Sequence, residues 1–354
     1  MRIILAFLRL VLLLLLLSCS VYAQDYNIGV YYFPGWTVSP GMWWSPPWER
    51  IKPYPEREPL LGYYPEGETW VAEKHIEWMH KYGVDFIIYD WYWNKDKKPH
   101  LEHALKAYLK ASNKDLIRFT ILWSNHTDVP ENLEQFETMV DYWIKNYFNQ
   151  RQYLCVDGKP VVYIFSPYNL RNNASKFGKT VRELLELARA MASRAGLKGI
   201  YFVACTQADY YWVTDHIPKS GYDAVSGYNY HRGYNGKYEE GGLSKNFGEL
   251  AAGYKQSWSW IIKNSRLPYF VPVTTGCSGK PWGSRTPHDE SVSDPKSFRK
   301  HLQEAKDLVD KYPNKTKKTV VVCCWNEFGE GVYIEPTKLW QFQYLQGIKD
   351  IFAE

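Results

Sequence analysis

Eight short apolar runs alternate with amphipathic stretches along the chain, and this alternation constrains the fold more than any other feature of the sequence. Each run is rich in Val, Ile and aromatic residues, and each stretch after it repeats its apolar residues at helical spacing. Eight strand–helix units in about 330 residues predict one α/β domain, a single (β/α)8 TIM barrel. The predicted strands are Ile28–Phe33, Val84–Tyr89, Arg118–Leu122, Pro160–Phe165, Ile200–Ala204, Asp223–Gly227, Tyr269–Thr274 and Thr319–Cys324.

The alternative fold is a doubly wound parallel sheet. That fold needs a glycine-rich phosphate loop after an early strand, and Gly35 alone does not form one. The predicted helices suit the barrel: Trp70–Tyr82, Leu101–Ser112, Leu133–Phe148, Lys179–Ala195, a short piece at Tyr210–Val213, Phe247–Asn264, Pro295–Tyr312 and Thr337–Phe352.

The eighth strand leads into a turn that carries two glutamates three positions apart, Glu327 and Glu330. Gly329 and Gly331 allow the backbone to bend sharply there. Barrel enzymes place their chemistry at the carboxyl ends of the strands, so the turn is the candidate catalytic centre. The alternative interpretation is a pair of solvated loop charges.

Polar and aromatic residues cluster after the strands, whereas the connections before the strands are plain and polar. The loop 37–68 after the first strand is unusually long and aromatic, and loops of this length in compact domains are usually functional. We expect a groove floored by Tyr32, Trp91, Asn125, Tyr228 and Trp325 and walled by the loop Trp43–Tyr64. The full set of candidate binding residues is Tyr31, Tyr32, Trp36, Asp90, Trp91, Trp93, Asn125, His126, Tyr228, His231, Trp325 and Asn326.

Residues 1–23 have the pattern of a signal peptide. Arg2 and Arg9 precede a leucine-rich run, and Ala23 offers a small-residue cleavage site. We therefore expect a catalytic domain over residues 24–354 and export to the periplasm, the cell surface or the medium. Cys19 lies in a sequence similar to a lipobox, so a lipid anchor is the alternative to cleavage. The apolar run is too short for a comfortable transmembrane helix.

Charge and cysteine content exclude several classes of function. The 43 Lys and Arg residues barely exceed the 38 Asp and Glu residues, which gives no case for nucleic acid or an anionic membrane surface. The five cysteines after residue 23 show no CxxC or Cys/His metal spacing. We expect mostly buried thiols, no required disulfide, and side chains of Cys323 and Cys324 on opposite strand faces. No metal and no cofactor are expected.

The remaining functional groups are carboxylates and aromatic rings. There is no HExxH, GxSxG or Walker motif. Phe, Trp and Tyr make up 17% of the chain, and rings with a polar edge suit surfaces that bind sugars. Paired carboxylates are the groups that glycoside hydrolysis needs, which predicts an oligosaccharide or polysaccharide substrate. The alternative role of the rings is to fill the layer between barrel and helices.

Several motifs resemble glycoside hydrolase family 99 and its WbsX-like branch. The sequence WNEFGEG at 325–331, followed by IEP at 334–336, resembles that family's final motif. YYFPGW at 31–36 resembles its opening strand, GVDF at 83–86 and DWYW at 90–93 its second strand, and LGYY at 61–64 an element of the WbsX-like branch. The resemblance therefore spans the chain after the leader.

This resemblance implies a (β/α)8 barrel that cleaves α-mannosides with retention, often inside the glycan chain. It implies that Glu327 deprotonates the sugar's 2-hydroxyl and that Glu330 acts as acid and then base, through a 1,2-anhydro sugar. Phe328 stands where the family usually has Trp, and the aromatic loop Trp43–Tyr64 is particular to this chain.

Two other classes of function remain as alternatives. A non-catalytic carbohydrate-binding barrel would lack one of the paired acids, and both are present. A glycosyltransferase, which the WbsX name suggests, usually carries a DxD-like metal site and no export signal. Asp90 is followed by Trp-Tyr-Trp, so it forms no DxD motif.

Overall fold

The computed structural model describes residues 25–39, 43–127, 129–232 and 242–353. Eight parallel strands form a ring in the order β6-β5-β4-β3-β2-β1-β8-β7. A parallel bridge between Val225 and Tyr269 joins the two ends of this path, so the strands form a closed (β/α)8 barrel, as predicted. The strands are β1 Asn27–Tyr32, β2 Phe86–Trp93, β3 Arg118–Trp123, β4 Lys159–Ile164, β5 Tyr201–Cys205, β6 Ala224–Ser226, β7 Val271–Thr274 and β8 Thr319–Cys323.

Helices surround the ring and follow the predicted pattern closely. They are α1 Thr69–Lys81, α2 His103–Lys110, α3 Leu133–Trp143, α4 Pro167–Lys176, α5 Val181–Arg194, α6 Phe247–Asn264, α7 Pro295–Lys311 and α8 Gln343–Phe352. A π-helical turn at Ile144–Phe148 extends α3, and a second one at Tyr211–His216 follows β5. Further short helical pieces occupy Pro47–Ile51, Pro55–Arg57, Lys114–Leu116, Ile217–Lys219, Lys280–Trp282, Pro287–Glu290, Pro313–Thr316 and Phe328–Glu330.

The helix α4 lies where the sequence predicts only a loop. Ser166 caps it by accepting a hydrogen bond from the Asn169 N–H, and Pro167 occupies its first turn, where a missing N–H costs nothing. The last helix is shorter than predicted and begins at Gln343 instead of Thr337. None of the helices in the described ranges is long and apolar enough to cross a membrane. The predicted leader and the Cys19 lipidation site lie outside the described residues.

Side chains of each strand alternate between the barrel interior and the helix layer. In β2, Phe86 and Ile88 pack in the interior cluster, while Ile87 and Tyr89 pack under the helices. A third cluster of rings lies above the barrel, between the β1–α1 loop and the turn after β8. These clusters hold the carboxyl ends of the strands in fixed positions.

The cysteines correct one expectation. Cys323 and Cys324 are joined to each other in a disulfide, so their side chains do not lie on opposite faces. The physical reason is that β8 ends at Cys323, so strand alternation does not extend to Cys324. Cys155, Cys205 and Cys277 are free thiols, of which Cys205 is buried as expected and Cys155 is exposed.

Candidate active site

Two glycines allow the tight turn after β8. Gly331 adopts φ 66°, a left-handed conformation that glycine adopts without strain. Gly329 packs against the Trp282 indole so closely that an added Cβ would lie 1.9 Å from it. The segment Asn326–Glu327 pairs with Val332–Tyr333 in a two-stranded ladder, so Glu327 and Glu330 leave a rigid hairpin.

Both glutamates face a cavity of about 480 Å³ at the carboxyl ends of the strands. Its walls combine carboxyl groups, imidazoles and aromatic rings. The lining residues are Phe33, Trp43, Trp44, Asp90, Tyr92, Ser124, His126, Phe165, Cys205, Thr206, Gln207, Tyr228, Asn229, Tyr230, His231, Trp282, Glu327 and Glu330.

A tyrosine hydroxyl lies between two of the acids. Tyr228 Oη is 3.0 Å from Asp90 Oδ2 and 3.0 Å from Glu327 Oε1. The hydroxyl has one hydrogen and can donate it to only one of these oxygens at a time. If both carboxyl groups are to be hydrogen-bonded to Tyr228, one of them must carry a proton and donate it.

Burial shifts the acids toward their neutral forms. The pKa of Glu327 is raised well above its ordinary value, first by desolvation and then by the charges of Glu330 and Asp90. Desolvation also raises the pKa of Glu330. It is the largest cause of the raised pKa of Asp90 as well. Neighbouring carboxyl groups of this kind titrate as a coupled set, so the cavity retains protons that exposed carboxylates would release.

Six of the predicted site residues line the cavity together: Asp90, His126, Tyr228, His231, Glu327 and Glu330. His126 lies between the rings of Tyr92 and Phe165, with centroid distances of 5.6 and 5.7 Å. Burial lowers the pKa of both histidines, that of His231 to about 4, so they are neutral at pH 7.

Four predicted binding residues lie outside the cavity, and for Tyr32, Trp91 and Trp325 this corrects their predicted place on its floor. Tyr32, Trp91, Trp93 and Trp325 pack in the layer between barrel and helices. The cause is strand alternation: Asp90 takes the interior side of β2, so its neighbour Trp91 must take the other side. The Trp91 indole N–H accordingly donates to Tyr147 Oη at 2.8 Å, away from the cavity.

The other four predicted residues support the site without lining it. Tyr31 packs beneath Tyr228 with ring centroids 4.7 Å apart. The Trp36 indole N–H donates to the Asn326 carbonyl, and the Asn326 amide bonds the Phe33 backbone on both sides. Asn125 accepts from the Ser166 N–H and donates to the Ser166 carbonyl, which joins the ends of β3 and β4. The contacts of these four residues fix the strand ends and loops that carry the lining residues.

Sequence reasoning missed several lining residues. Phe33 and Tyr92 lie two positions beyond Tyr31 and Asp90 on the same strand faces, so the period of two could have identified them. Gln207 and Trp282 come from loops whose path the sequence does not fix. Glu66, buried beside the site, accepts from the Trp36 N–H and the Asn326 amide, and no local pattern marks it.

The long β1–α1 loop forms one wall, as predicted. Trp43 and Trp44 at its tip line the cavity. Its base is fixed by the buried Arg57, whose guanidinium donates to the carbonyls of Ser278 and Phe328 at 3.1 and 2.7 Å. Those carbonyls belong to the loops after β7 and β8, so the wall is bonded directly to the hairpin that carries Glu327 and Glu330.

These features define the class: a (β/α)8 barrel with acidic and aromatic side chains in a cavity at the carboxyl ends of its strands. The chain belongs to the family described as glycosyltransferase WbsX, whose model matches residues 53–348. This membership confirms the WbsX-like resemblance in the sequence. A comparison with curated proteins found no significant match.

Solved structures of low sequence identity share the fold. A protein described as glycoside hydrolase-like has a TM-score of 0.67 at 17% identity, over 93% of this chain and 94% of that chain. The glycoside hydrolase family 99 endo-α-mannosidase of Bacteroides thetaiotaomicron has a TM-score of 0.65 at 14% identity, over 94% of this chain and 98% of that chain.

Proposed function

We propose that the chain is a glycoside hydrolase that cleaves α-mannoside-type linkages with retention. The observation that carries this proposal is the meeting of Glu327, Glu330 and Asp90 in one buried cavity lined with aromatic rings. Hydrolysis of a glycoside requires a protonated acid beside a second carboxylate. Burial, which raises the pKa values of Glu327 and Glu330, favours the protonated form that the acid requires. The shared fold with a family 99 endo-α-mannosidase supports the choice of sugar.

The hydrogen bonds around Tyr228 suggest how the protons are arranged. A protonated Asp90 donates to Tyr228 Oη, and the Tyr228 hydroxyl then donates to Glu327. This chain of two bonds favours the ionised form of Glu327. The charge of Glu330 opposes ionisation of Glu327, so the two share a proton, and the proposed scheme assigns that proton to Glu330.

This arrangement fits a mechanism in which the substrate's own hydroxyl attacks. Glu327 takes the proton from the 2-hydroxyl while O2 bonds to the anomeric carbon. The glycosidic oxygen departs with the proton of Glu330, which leaves a 1,2-anhydro sugar. Water then loses a proton to Glu330 and attacks the anomeric carbon, and Glu327 returns its proton to O2. Two inversions at one carbon give overall retention.

The rings around the carboxyl groups support binding of a glycan that extends past the cleavage point. Trp43 is 60% exposed at the cavity rim, and its ring meets Trp282 edge to face at 5.4 Å. Such a surface continues beyond the buried acids and offers ring faces to further sugar units. We therefore propose endo action on an oligosaccharide or polysaccharide.

Export of the enzyme is part of the proposal and rests on the sequence of residues 1–23. Mass analysis of the natural N-terminus distinguishes the two routes: a terminus at Gln24 indicates cleavage, and an acylated Cys19 indicates a lipid anchor. A chain that keeps Met1 would contradict both.

The family's description favours glycosyl transfer as a second candidate function. A sugar nucleotide carries a diphosphate, which proteins usually bind with cations. Among the described residues that line the cavity there is no Lys or Arg. Incubation with an α-manno-oligosaccharide and with a sugar nucleotide, with products sized by mass, separates hydrolysis from transfer.

The decisive experiment compares Glu330→Gln and Glu327→Gln, with Glu77→Gln on the surface as the control. General acid–base help contributes about 10²–10⁴-fold per group. Glu330→Gln should slow hydrolysis of substrates with poor leaving groups by such a factor, but it should have little effect on the first step of hydrolysis of an α-mannosyl fluoride. Glu327→Gln should slow hydrolysis of both kinds of substrate. A 2-deoxy substrate should not react.

Three results would count against the proposal. Turnover of the 2-deoxy substrate with a sugar covalently bound to Glu327 would replace the anhydro-sugar step by a carboxylate nucleophile. Unchanged activity in both Gln variants would remove this hairpin from the catalytic role. Absence of any cleavage of α-mannosides in a glycan screen would refute the assigned linkage.

A further inference from the structure

Three side chains that commonly bind metals meet beside the cavity, although they come from separate loops. His231 follows β6, Cys277 follows β7, and His288 lies on the turn Pro287–Glu290. Their ligand atoms all lie within 4.8 Å of one another. His231 Nδ1 is 3.2 Å from His288 Nε2.

The buried His288 ring is held in the orientation that a metal ligand requires. Its Nδ1 is 3.1 Å from the Ser244 carbonyl oxygen and 2.9 Å from Ser244 Oγ. A carbonyl only accepts hydrogen bonds, so Nδ1 carries the hydrogen of the neutral ring. The lone pair is therefore on Nε2, on the side of His231. A backbone carbonyl that fixes the tautomer in this way is the usual outer partner of a metal-binding histidine.

The turn that carries His288 is rigid without any help from a bound ion. The Asp289 carboxylate accepts hydrogen bonds from the Gly279 N–H, the Ser284 hydroxyl and the Thr286 N–H, each at 2.7 Å. Cys277 is held on the facing side, because Gly276–Cys277 pairs with Ser291–Val292 in a short antiparallel ladder. His288 and Cys277 are thus positioned by contacts outside the cluster, and His231 is positioned against His288 by the contact of the two rings.

We propose that His231, Cys277 and His288 form a binding site for one Zn²⁺ ion. Two imidazoles and one thiolate are the donor set that zinc prefers. A tetrahedral zinc ion with bonds of about 2.0–2.3 Å separates its ligand atoms by about 3.3–3.7 Å. The two histidine nitrogens already have nearly this separation, and the Cys277 sulfur, within 4.8 Å of both, needs only a small shift to complete the set. The fourth position is open to water or a substrate oxygen, since His231 lies on the cavity wall.

The site is joined to the catalytic hairpin by a short path. Ser278, next to Cys277, donates its backbone N–H to the Glu330 carbonyl at 2.5 Å. A zinc ion on Cys277 would therefore restrain the loop against which Glu330 rests. Its first effect is on stability, so the site can be tested whether or not the chain hydrolyses glycosides.

The test measures metal content in the full chain expressed with added zinc and then dialysed. Elemental analysis should find about one zinc per chain in the wild type. Cys277→Ser and His288→Asn should lose it, because Ser keeps the size of Cys277 without its sulfur, and Asn can keep the hydrogen bond of His288 to Ser244 without its Nε2. Cys155→Ser, which changes an exposed free thiol elsewhere, should keep it.

Cobalt gives an answer that does not depend on the stability of the variants. Co²⁺ added to the metal-free wild type should produce a thiolate-to-cobalt absorption band, which excess Zn²⁺ removes. Zinc should also raise the melting temperature of the wild type and of Cys155→Ser. A wild type that binds no zinc and shows no cobalt–thiolate band overturns the proposal. So does zinc content that is unchanged in folded Cys277→Ser and His288→Asn.

Discussion

The Tyr228 hydroxyl lies 3.0 Å from both Asp90 and Glu327, so its removal should change the pH dependence of catalysis more than the fold. In Tyr228→Phe, Glu327 loses a donor that stabilises its ionised form. A hydrogen bond to a charged group contributes about 1.5–3 kcal/mol. Loss of this bond should raise the pKa of Glu327, because the ionised form loses about 10–100-fold in its equilibrium with the protonated form.

In the proposed mechanism Glu327 acts as a base. The base must be ionised, so a higher pKa moves the acidic limb of kcat/KM toward higher pH. Below that limb, Tyr228→Phe should lose about 10–100-fold in kcat/KM, and it should recover much of the loss as pH rises. The measurement is kcat/KM against pH with an aryl α-mannoside. The limb reports the coupled acids together.

Tyr163→Phe is the matched control for this change. Tyr163 is also a buried tyrosine of the barrel interior, and its hydroxyl has no hydrogen-bond partner among the described residues. Its removal should leave the pH profile where it is. If Tyr228→Phe has the same acidic limb as the wild type, or loses activity equally at every pH, the proposed proton arrangement is wrong.

Three further changes test the site and its support. Trp43→Ala should weaken glycan binding by about 1 kcal/mol or more with an unchanged melting temperature, whereas Trp91→Ala should destabilise the fold by about 3–5 kcal/mol, as measured by urea unfolding. Asp90→Asn should melt at a higher temperature than the wild type at pH 8 and not at pH 4. The raised pKa of Asp90 gives stability below its unfolded value, about 3.9, which is lost as pH rises through the folded value. Gly329→Ala should cost about 1–3 kcal/mol in urea unfolding because its methyl group overlaps Trp282.

A second glycine of the chain supplies a matched control, and each prediction has an outcome that would contradict it. Gly242→Ala adds the same methyl group where no atom lies within 4 Å, and it should be nearly neutral. Equal losses for Gly242→Ala and Gly329→Ala would contradict the packing argument. A melting temperature of Asp90→Asn that stays below the wild type at every pH would show that the aspartate stabilises the fold in its charged form. Strong destabilisation by Trp43→Ala would move that ring from the cavity rim to the core.

Local pattern was enough to predict the barrel and the turn after β8 that carries the two glutamates. The runs around Val320 and Ile87 are apolar because parallel strands are buried on both faces, and this signal needs no tertiary knowledge. The hairpin was recognisable because Glu327, Glu330 and the glycines lie within five residues. The carboxyl-end position of Asp90 and Tyr228 followed from barrel geometry once the strands were assigned.

The parts that could not be predicted depend on strand phase and on distant loops. A shift of one residue along the strand decides whether Trp91 or Asp90 faces the cavity. A strand that is apolar on both faces gives no sequence signal for which of its residues face inward. The cluster of His231, Cys277 and His288 has no local spacing, so a search for metal motifs passes over it. The same holds for Arg57, whose partners follow it by more than 200 residues.

The short pairing between β6 and β7, which we call the seam, determines where the barrel opens transiently. Val225 donates its N–H to the Pro268 carbonyl and accepts from the Phe270 N–H, both at 2.9 Å, while β1 and β8 are paired over a four-residue register. A closed sheet opens first at the strand pair that is held by the fewest hydrogen bonds. Deuterium should therefore enter the amides of Val225 and Phe270 sooner than those of β1, and partial unfolding should peel the sheet apart from this seam.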